Sequence, residues 1–139
     1  CSSDLQVLTR FIFTSILSIS MMSLPAWAEG TIARAQFSTD VIDREPVDNI
    51  GPIVKVEYGE IQNVYFFTDL RDMSGSQVVH RWKLDGDAQA DVAFEIGGDR
   101  WRVWSSKRLL PGFDGVWSVD IVVDDQVVES HSFDYVDDY

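Results

Sequence analysis

Residues 100–107 alternate charged side chains with aromatic and aliphatic ones: Arg100-Trp101-Arg102-Val103-Trp104-Ser105-Ser106-Lys107. Only a β-strand places alternate residues on opposite faces, so this period of two predicts a strand with a basic outer face. A shorter run of the same kind, His80-Arg81-Trp82-Lys83, lies about twenty residues earlier. Together the two runs hold three of the five tryptophans and five of the eleven basic residues. We therefore expect the fold, and any cationic surface on it, to be organised around these two strands.

The composition is that of one acidic globular domain. The chain has 139 residues, of which 45% are hydrophobic, and this is enough for one packed core. Its formal charge is −12 at pH 7, and the residues from Asp124 onward hold six acids and no Lys or Arg. Proteins that bind nucleic acids present basic surface, so we predict no nucleic-acid partner. The single cysteine, Cys1, allows no intrachain disulfide.

The N-terminal segment has the features of a secretory signal peptide. An uncharged run extends from Phe11 to Leu24 and is followed by Pro25 and the small-residue triplet Ala26-Trp27-Ala28. This run of about fourteen residues is shorter than the roughly twenty that a membrane-spanning helix needs. We predict a signal peptide region at 1–28, cleavage after Ala28, and export to the periplasm or the extracellular space. The mature chain is expected to have no membrane span, and an uncleaved membrane anchor is the alternative.

Residues 29–139 are predicted to form a single all-β domain. Residues 1–4 are interpreted as a truncated start or a non-native addition and do not enter the fold argument. Seven stretches rich in strand formers are separated by turn residues. They lie near residues 33–37, 64–68, 77–84, 87–96, 99–106, 117–123 and 127–135, with a short edge segment at 54–58 and loops at 40–52 and 108–115. The pattern fits an antiparallel β-sandwich of immunoglobulin or fibronectin type, and a small β-barrel is the alternative.

Two dipeptides, Asp85-Gly86 and Gly97-Gly98, are signals for two-residue hairpins. Two hairpins in succession would place the strands near Trp82, Phe94 and Trp101 in one meander, with strand 87–96 in its middle. Asp91 and Glu95 would then pair across the strands with the basic side chains on either side. Trp82 is predicted to fill the core between the two sheets.

Three sequence blocks carry a family resemblance. They are Val79-His80-Arg81-Trp82, the segment from Gly97 to Lys107, and Gly115-Val116-Trp117-Ser118-Val119-Asp120. In order and spacing the blocks resemble the bacterial family known as domain of unknown function 2914, over roughly Asn63 to Tyr135. This family occurs in exported or membrane-attached proteins, so the resemblance implies an extracytoplasmic domain. The family has no established activity, and the resemblance therefore implies no catalytic residue.

The basic and aromatic side chains of the two opening runs form the candidate ligand-binding set. It comprises Arg81, Lys83, Arg100, Arg102, Trp104 and Lys107. Arginine offers planar pairs of donors to an oxyanion, and a tryptophan ring offers a surface for stacking. Such a face suits an anionic glycan or an acidic protein of the envelope. The alternative is a solvated sheet face that salt bridges neutralise.

Other chemistry is only weakly signalled. His80 and His131 lack the spacing of metal ligands, and alternation predicts a hydrogen-bonded His80 in the core. The acidic turns at 85–87 and 124–125 have hairpin chemistry rather than the spacing of a calcium loop. Ser105-Ser106-Lys107 lacks the spacing of a catalytic serine. We therefore predict no catalytic residue, no metal and no cofactor.

Three functions remain open at this point. The first is a non-enzymatic binding or interaction module exported to the bacterial cell envelope. The second is a small extracytoplasmic hydrolase, which a cleft with two carboxylates about 5 to 10 Å apart would favour. The third is a structural accessory domain of an envelope assembly, which an exposed apolar patch around Leu109, Leu110 and Phe113 would favour.

Overall fold

The computed structural model describes residues 30–57 and 59–138, and these residues form strands and connecting turns. The strands are β1 (Thr31–Ser38), β2 (Val41–Ile42), β3 (Glu45–Pro46), β4 (Ile53–Glu57), β5 (Gln62–Arg71), β6 (Gln77–Leu84), β7 (Asp87–Glu95), β8 (Arg100–Leu109), β9 (Gly115–Val123) and β10 (Gln126–Asp138). The seven predicted main strands correspond to β1 and β5 to β10. The predicted edge segment is β4.

Two open sheets pack face to face as an immunoglobulin-like sandwich. One sheet has the order β1-β5-β8, and the other has the order β4-β10-β9-β6-β7. The pairings in both sheets are antiparallel, except that β4 runs parallel to β10. The predicted sandwich is confirmed, whereas the small barrel is wrong because both sheets end in edge strands.

Large side chains from both sheets fill the space between them. Phe66 on β5, Trp82 on β6 and Trp117 on β9 belong to one buried cluster, each with at most 1% of its surface exposed. The Phe37 ring on β1 bridges the sheets, with its centroid 4.9 Å from that of Phe66 and 6.2 Å from that of Trp82. The prediction that Trp82 fills the core is confirmed. Since a chain with one cysteine forms no intrachain disulfide, the burial of these apolar side chains is the main source of stability.

Two hairpins close on two residues with positive φ, as their sequences require. Asp85 (φ 51°) and Gly86 (φ 87°) join β6 to β7, as predicted. Asp124 (φ 45°) and Asp125 (φ 70°) join β9 to β10. The left-handed region is accessible to Asp and Gly, and a turn with two such residues matches the twist of the strands. These turns fix the register of the larger sheet.

The predicted hairpin at Gly97-Gly98 is wrong. Strand β7 is the edge of the five-stranded sheet, and the chain then crosses to β8 at the edge of the other sheet. Neither glycine has a positive φ. A Cβ atom on Gly97 or Gly98 would lie 3.1 or 3.3 Å from the Trp101 ring, so the glycines allow that ring to approach the backbone. The predicted meander therefore does not form, and its two basic runs lie on different sheets.

The predicted loop at 40–52 contains a hairpin. Strands β2 and β3 pair through Val41 with Pro46 and Ile42 with Glu45. The turn residues Asp43 and Arg44 have φ of 54° and 61°. This short arm, which we call the β2–β3 hairpin, brings Glu45 and Arg44 to the outer face of the three-stranded sheet.

The predicted signal peptide at 1–28 lies outside the described residues. Within residues 30–57 and 59–138, the structure has no helix that is long and apolar enough to cross a membrane.

Candidate functional site

The six candidate ligand-binding residues lie at three places. Arg100, Arg102 and Trp104 share the outer face of the three-stranded sheet, since alternate residues of β8 point away from the core. Arg81 and Lys83 lie on the outer face of the other sheet, across the sandwich. The prediction that Arg81 and Lys83 share one sheet face with Arg100, Arg102 and Trp104 is therefore wrong.

The basic side chains on the five-stranded sheet are paired with acids. Arg81 Nε donates to Asp91 Oδ1 at 3.0 Å, which confirms the predicted pairing on this side of β7, whereas Glu95 accepts a hydrogen bond from Gln77 Nε2 at 3.2 Å. Lys83 Nζ lies 2.7 Å from Asp120 Oδ2, and Asp120 is 6% exposed. Burial alone would raise the pKa of Asp120, but hydrogen bonds from Lys83 and Ser130 and the nearby positive charges hold it below its usual range. This face is a salt-bridged surface.

Lys107 lies apart from both groups. Its Nζ is 5.9 Å from the centroid of the Trp117 ring, in a cation–π contact near the end of the sandwich. Leu109 on the same strand is fully buried, while Phe113 is 36% exposed and packs against Trp117 at 6.4 Å. The apolar patch that would favour a structural accessory role is therefore not centred on Leu109.

Asp69 is the centre of the outer face of the three-stranded sheet. Its carboxylate accepts two hydrogen bonds from Arg71, Nε to Oδ1 at 3.0 Å and Nη2 to Oδ2 at 3.1 Å. Arg34 from β1 and Arg100 from β8 bring their Nη2 atoms to 3.5 and 3.6 Å from Oδ2. Asp69 is 1% exposed, so a single buried charge organises guanidinium groups from three strands.

Glu45 is the second carboxylate of this face and comes from the β2–β3 hairpin. Arg34 grips it with two hydrogen bonds, Nη1 to Oε2 at 2.8 Å and Nη2 to Oε1 at 3.0 Å. Arg102 Nη1 donates to Oε1 at 2.6 Å. Arg34 thereby bridges Glu45 and Asp69, and its guanidinium carbon lies 5.1 Å from the centre of the buried Phe67 ring.

The arginines lower the pKa of both carboxyls. The pKa of Glu45 lies below its usual range, chiefly because of the hydrogen bond from Arg34, with Arg102 adding to the effect. For Asp69, burial alone would raise the pKa, but the hydrogen bond from Arg71 and the charges of Arg71, Arg100 and Arg34 outweigh it. Both groups are therefore ionised at neutral pH.

A hollow of about 310 Å³ opens on this face beside the two carboxylates. Its lining consists of Arg44, Arg100, Trp101, Arg102 and Trp104. Arg100 is 52% exposed and does not approach Asp69 to hydrogen-bond distance, so its donors can reach a ligand. Together with Arg34 and Arg71, the face sets five arginines against two carboxylates. It is a local positive region on a protein of charge −12, and it suits an anion that carries a stackable ring.

His80 lies in the core as predicted, where a chain of hydrogen bonds uses both ring nitrogens. Trp82 Nε1 donates to Ser105 Oγ at 3.0 Å, and Ser105 Oγ lies 2.7 Å from His80 Nδ1. On the other side, His80 Nε2 lies 3.1 Å from Thr68 Oγ1, which donates to the Val103 carbonyl at 3.3 Å. Every donor is used if neutral His80 carries its proton on Nε2. Burial lowers the pKa of His80 to about 3, which keeps it neutral.

The aspartates of the acidic turns accept hydrogen bonds from backbone amides. Asp85 Oδ1 accepts from the amide of Val116 at 2.9 Å, and Asp124 Oδ1 accepts from the amide of Gln77 at 3.0 Å. His131 Nε2 lies 3.0 Å from Glu129 Oε2. No group of three or more His, Cys, Asp or Glu side chains with metal-site geometry occurs among residues 30–57 and 59–138.

Sequence reasoning missed Arg34, Arg44, Glu45, Asp69 and Arg71. One signal was present, because Asp69 is the only acid within a run of strand formers from Val64 to Leu70. An acid in a strand that is buried on both faces needs cationic partners, so its position alone predicts an arginine cluster nearby. The residues of the β2–β3 hairpin gave no such signal.

Replacing Asp69 with asparagine is expected to destabilise the domain by about 2 kcal/mol. The substitution keeps the shape of the side chain but leaves Arg34, Arg71 and Arg100 without their shared counter-charge. Chemical denaturation measures the change. Asp91→Asn is the matched control, since Asp91 is 52% exposed in its pair with Arg81, and it should cost less than about 0.5 kcal/mol. Equal losses in the two variants would contradict the central role of Asp69.

Comparison with known proteins agrees with this fold. Residues 75–135 match the family described as "Protein of unknown function (DUF2914)". This confirms the resemblance seen in the sequence, although the match begins later than Asn63. No curated protein matches the chain.

Solved structures provide a further comparison. An immunoglobulin-like protein from Pseudomonas aeruginosa is similar in fold, with a TM-score of 0.56, 13% identity, and coverage of 81% of this chain and 100% of that chain. The CARDB domain of a Pyrococcus furiosus protein has a TM-score of 0.43 and 11% identity, with coverage of 73% of this chain and 92% of that chain.

Proposed function

We propose that this chain, whose residues 75–135 match the DUF2914 family, is a non-enzymatic binding module exported to the bacterial cell envelope. Its ligand is an acidic glycan, and the binding site is the arginine-lined hollow on the three-stranded sheet. One observation carries the proposal: Arg44, Arg100 and Arg102 converge with Trp104 on a hollow of about 310 Å³ in a protein of charge −12. Positive charge concentrated in this way is costly unless it meets an anion.

The size and lining of the hollow favour a sugar ring with a carboxylate. The volume of about 310 Å³ is at the lower end of ligand sites and suits one or two sugar units. Arginine forks bind a carboxylate with two parallel hydrogen bonds, and the half-buried Trp104 ring can cover the apolar face of a sugar.

The overall negative charge of the protein restricts the class of anion that can bind at this site. The rest of the surface is strongly acidic and repels densely charged polymers, while salt confines each field to about 8 Å. A short glycan with no more than one carboxylate per sugar unit is attracted by the local positive field and extends little into the repulsive surroundings. The same argument disfavours an acidic partner protein that would need a large contact area.

The N-terminal sequence supports export. The uncharged run from Phe11 to Leu24 and the triplet Ala26-Trp27-Ala28 have the order of a signal peptide and its cleavage site. An extracytoplasmic domain would meet envelope glycans directly.

Arg100→Gln is expected to weaken the binding of a galacturonic acid trimer about tenfold, which corresponds to about 1.4 kcal/mol. Trp104→Ala should weaken it similarly by removing the stacking surface. Isothermal titration calorimetry compares the acidic trimer with a neutral galactose trimer, which should bind weakly to all variants. Arg81→Gln is the matched control, since it removes an arginine from the opposite sheet. Absence of binding, equal binding of the two trimers, or equal loss in Arg81→Gln and Arg100→Gln would overturn the proposal.

A further inference from the structure

Glu45 already occupies an arginine pair next to the hollow. Its carboxylate accepts three hydrogen bonds, at 2.8 and 3.0 Å from Arg34 and at 2.6 Å from Arg102. Arg102 also lines the hollow, so the internal carboxylate and an external anion share a binding residue. Glu45 is 44% exposed, and solvent can reach it from outside.

The base of the β2–β3 hairpin is anchored independently of Glu45. Asp48 Oδ1 accepts from Ser38 Oγ and from the amide of Thr39, both at 2.8 Å, and Asp48 Oδ2 accepts from Thr39 Oγ1 at 2.6 Å. The amide of Val47 donates to the Asp40 carbonyl at 3.1 Å. These bonds close the loop at its root and would persist if Glu45 left the arginines.

The tip of the hairpin has little apolar burial. Ile42 is 56% exposed, and Asp43 and Arg44 at the turn are exposed. Among the described residues, the side-chain hydrogen bonds from the β2–β3 hairpin to the three-stranded sheet all come from Glu45. Glu45 is thus the contact that holds the tip on the sheet.

We propose that Glu45 is a displaceable internal carboxylate, and that the carboxylate of the ligand takes its place between Arg34 and Arg102. This inference rests on the proposed function and names the part of the ligand that binds: a single carboxylate, in a position already built for one. The sugar ring then occupies the hollow, and the hairpin tip moves away on its Asp48 anchor. The site is self-inhibited in the absence of ligand.

Replacement of the Glu45 carboxylate by a ligand carboxylate leaves the net charge at the two arginines unchanged, which makes the displacement feasible. One carboxylate replaces another on the same two guanidinium groups, so no buried charge is left unpaired. Glu45 competes as a tethered group, and short tethers give effective concentrations in the millimolar range. Removing this competitor should therefore increase the affinity of a carboxylate ligand without adding any contact.

Glu45→Gln is expected to bind the galacturonic acid trimer about tenfold more tightly than the unsubstituted protein, with no change for the neutral galactose trimer. Asp43→Asn is the matched control, because it removes the same charge from the same hairpin and asparagine tolerates the φ of 54° at that position. An effect of overall charge would appear in both variants, whereas displacement appears only in Glu45→Gln.

Carbon-13 NMR of the Glu45 carboxyl gives a second measurement. Its pKa lies below the usual range in the free protein, because of the hydrogen bonds from Arg34 and Arg102. Saturation with the trimer should raise this pKa back to the ordinary range of a solvated glutamate, because the hydrogen bonds from the two arginines are lost. A pKa that stays low in the complex would overturn the displacement.

The outcomes separate this inference from the proposed function. If Arg100→Gln weakens binding while Glu45→Gln binds like the unsubstituted protein or more weakly, the binding site stands and the displacement is wrong. If neither the unsubstituted protein nor Glu45→Gln binds the acidic trimer, both proposals are wrong.

Discussion

Trp82→Ala is expected to remove about 4 kcal/mol of stability and to lower the melting temperature by roughly 20 °C. The Trp82 ring is fully buried between the sheets, and its Nε1 donates to Ser105 at 3.0 Å. The substitution leaves a cavity and also removes a donor from the hydrogen-bond chain through His80. A domain of this size has a total stability of about 5 to 15 kcal/mol, so the variant would lose between about a quarter and four fifths of it.

Two further variants separate the causes of this loss. Trp82→Phe keeps most of the ring but lacks the indole N–H, and it should cost about 1 to 2 kcal/mol. Trp101→Ala truncates a tryptophan that is 38% exposed against Gly97 and Gly98, and it should cost less than Trp82→Ala. Differential scanning calorimetry gives all three values. An unchanged melting temperature in Trp82→Ala would show that the ring does not fill the core.

Lowering the pH from 7 to 4 is expected to cost the domain about 3 kcal/mol through His80 alone. Burial lowers the pKa of His80 to about 3 in the folded state, whereas an unfolded histidine has a pKa near 6.5. Between these values the unfolded chain binds a proton that the folded chain does not. Stability is therefore complete above pH 6.5 and falls as the pH decreases toward 3.

The carboxyl groups do not obscure the upper part of this window, above about pH 5. The pKa values of Glu45, Asp48, Asp69 and Asp120 are all lowered in the folded state. Their stabilising contribution is present above the ordinary carboxyl pKa of about 4 and is lost below it. The slope of stability between pH 6.5 and 5 therefore reports mainly on histidine.

Urea denaturation across this pH range provides the test. His80→Gln should be less stable at pH 7, because the hydrogen-bond chain is disturbed, but its stability should change much less between pH 6.5 and 5. His131→Gln is the control, since His131 is half-buried beside Glu129, and it should keep the slope of the unsubstituted protein. A slope that is equally steep in His80→Gln would show that His80 is not its source.

The hairpin turns show which parts of the fold the sequence predicts well. Asp85-Gly86 has the composition that two residues with positive φ require, and the structure has a turn there. Asp43-Arg44 adopts nearly the same backbone without a glycine, and its composition gave no signal. The arm that it closes is paired through Val41 and Pro46, anchored at its base by Asp48, and held on the sheet by Glu45. These contacts, rather than the composition of the turn, mark the position of the hairpin.

Gly97-Gly98 shows the opposite case. The dipeptide has hairpin composition, but its glycines make room for the ring of Trp101, since a Cβ atom on either would lie only 3.1 or 3.3 Å from that ring. Glycine is favoured both where the backbone has a positive φ and where another group packs closely against it. The sequence alone does not distinguish these two roles. The choice between a hairpin and a crossing to the other sheet decided where Arg100 and Arg102 lie.

The candidate site was accordingly predicted only in part. Alternation along β8 correctly placed Arg100, Arg102 and Trp104 on one outer face. It could not identify Glu45 or Asp69 as their counter-charges, because these residues are about 57 and 33 positions away from Arg102. Pairing over such separations follows from the strand order β1-β5-β8, which no local pattern encodes.

Because the chain crosses from β7 to the other sheet at β8, the segment that matches the family does not contain all the strands of the fold. The family match begins at residue 75, but β8 within it hydrogen-bonds in its sheet to β5 (Gln62–Arg71), which precedes that point. A fragment limited to 75–135 would leave the backbone of β8 without a neighbouring strand and would lack Phe66 and Leu70 from the core. The segment needed to form the fold is therefore longer than the segment that matches the family. Relatives of this domain should carry an equivalent of β5 upstream even where their sequences there have diverged.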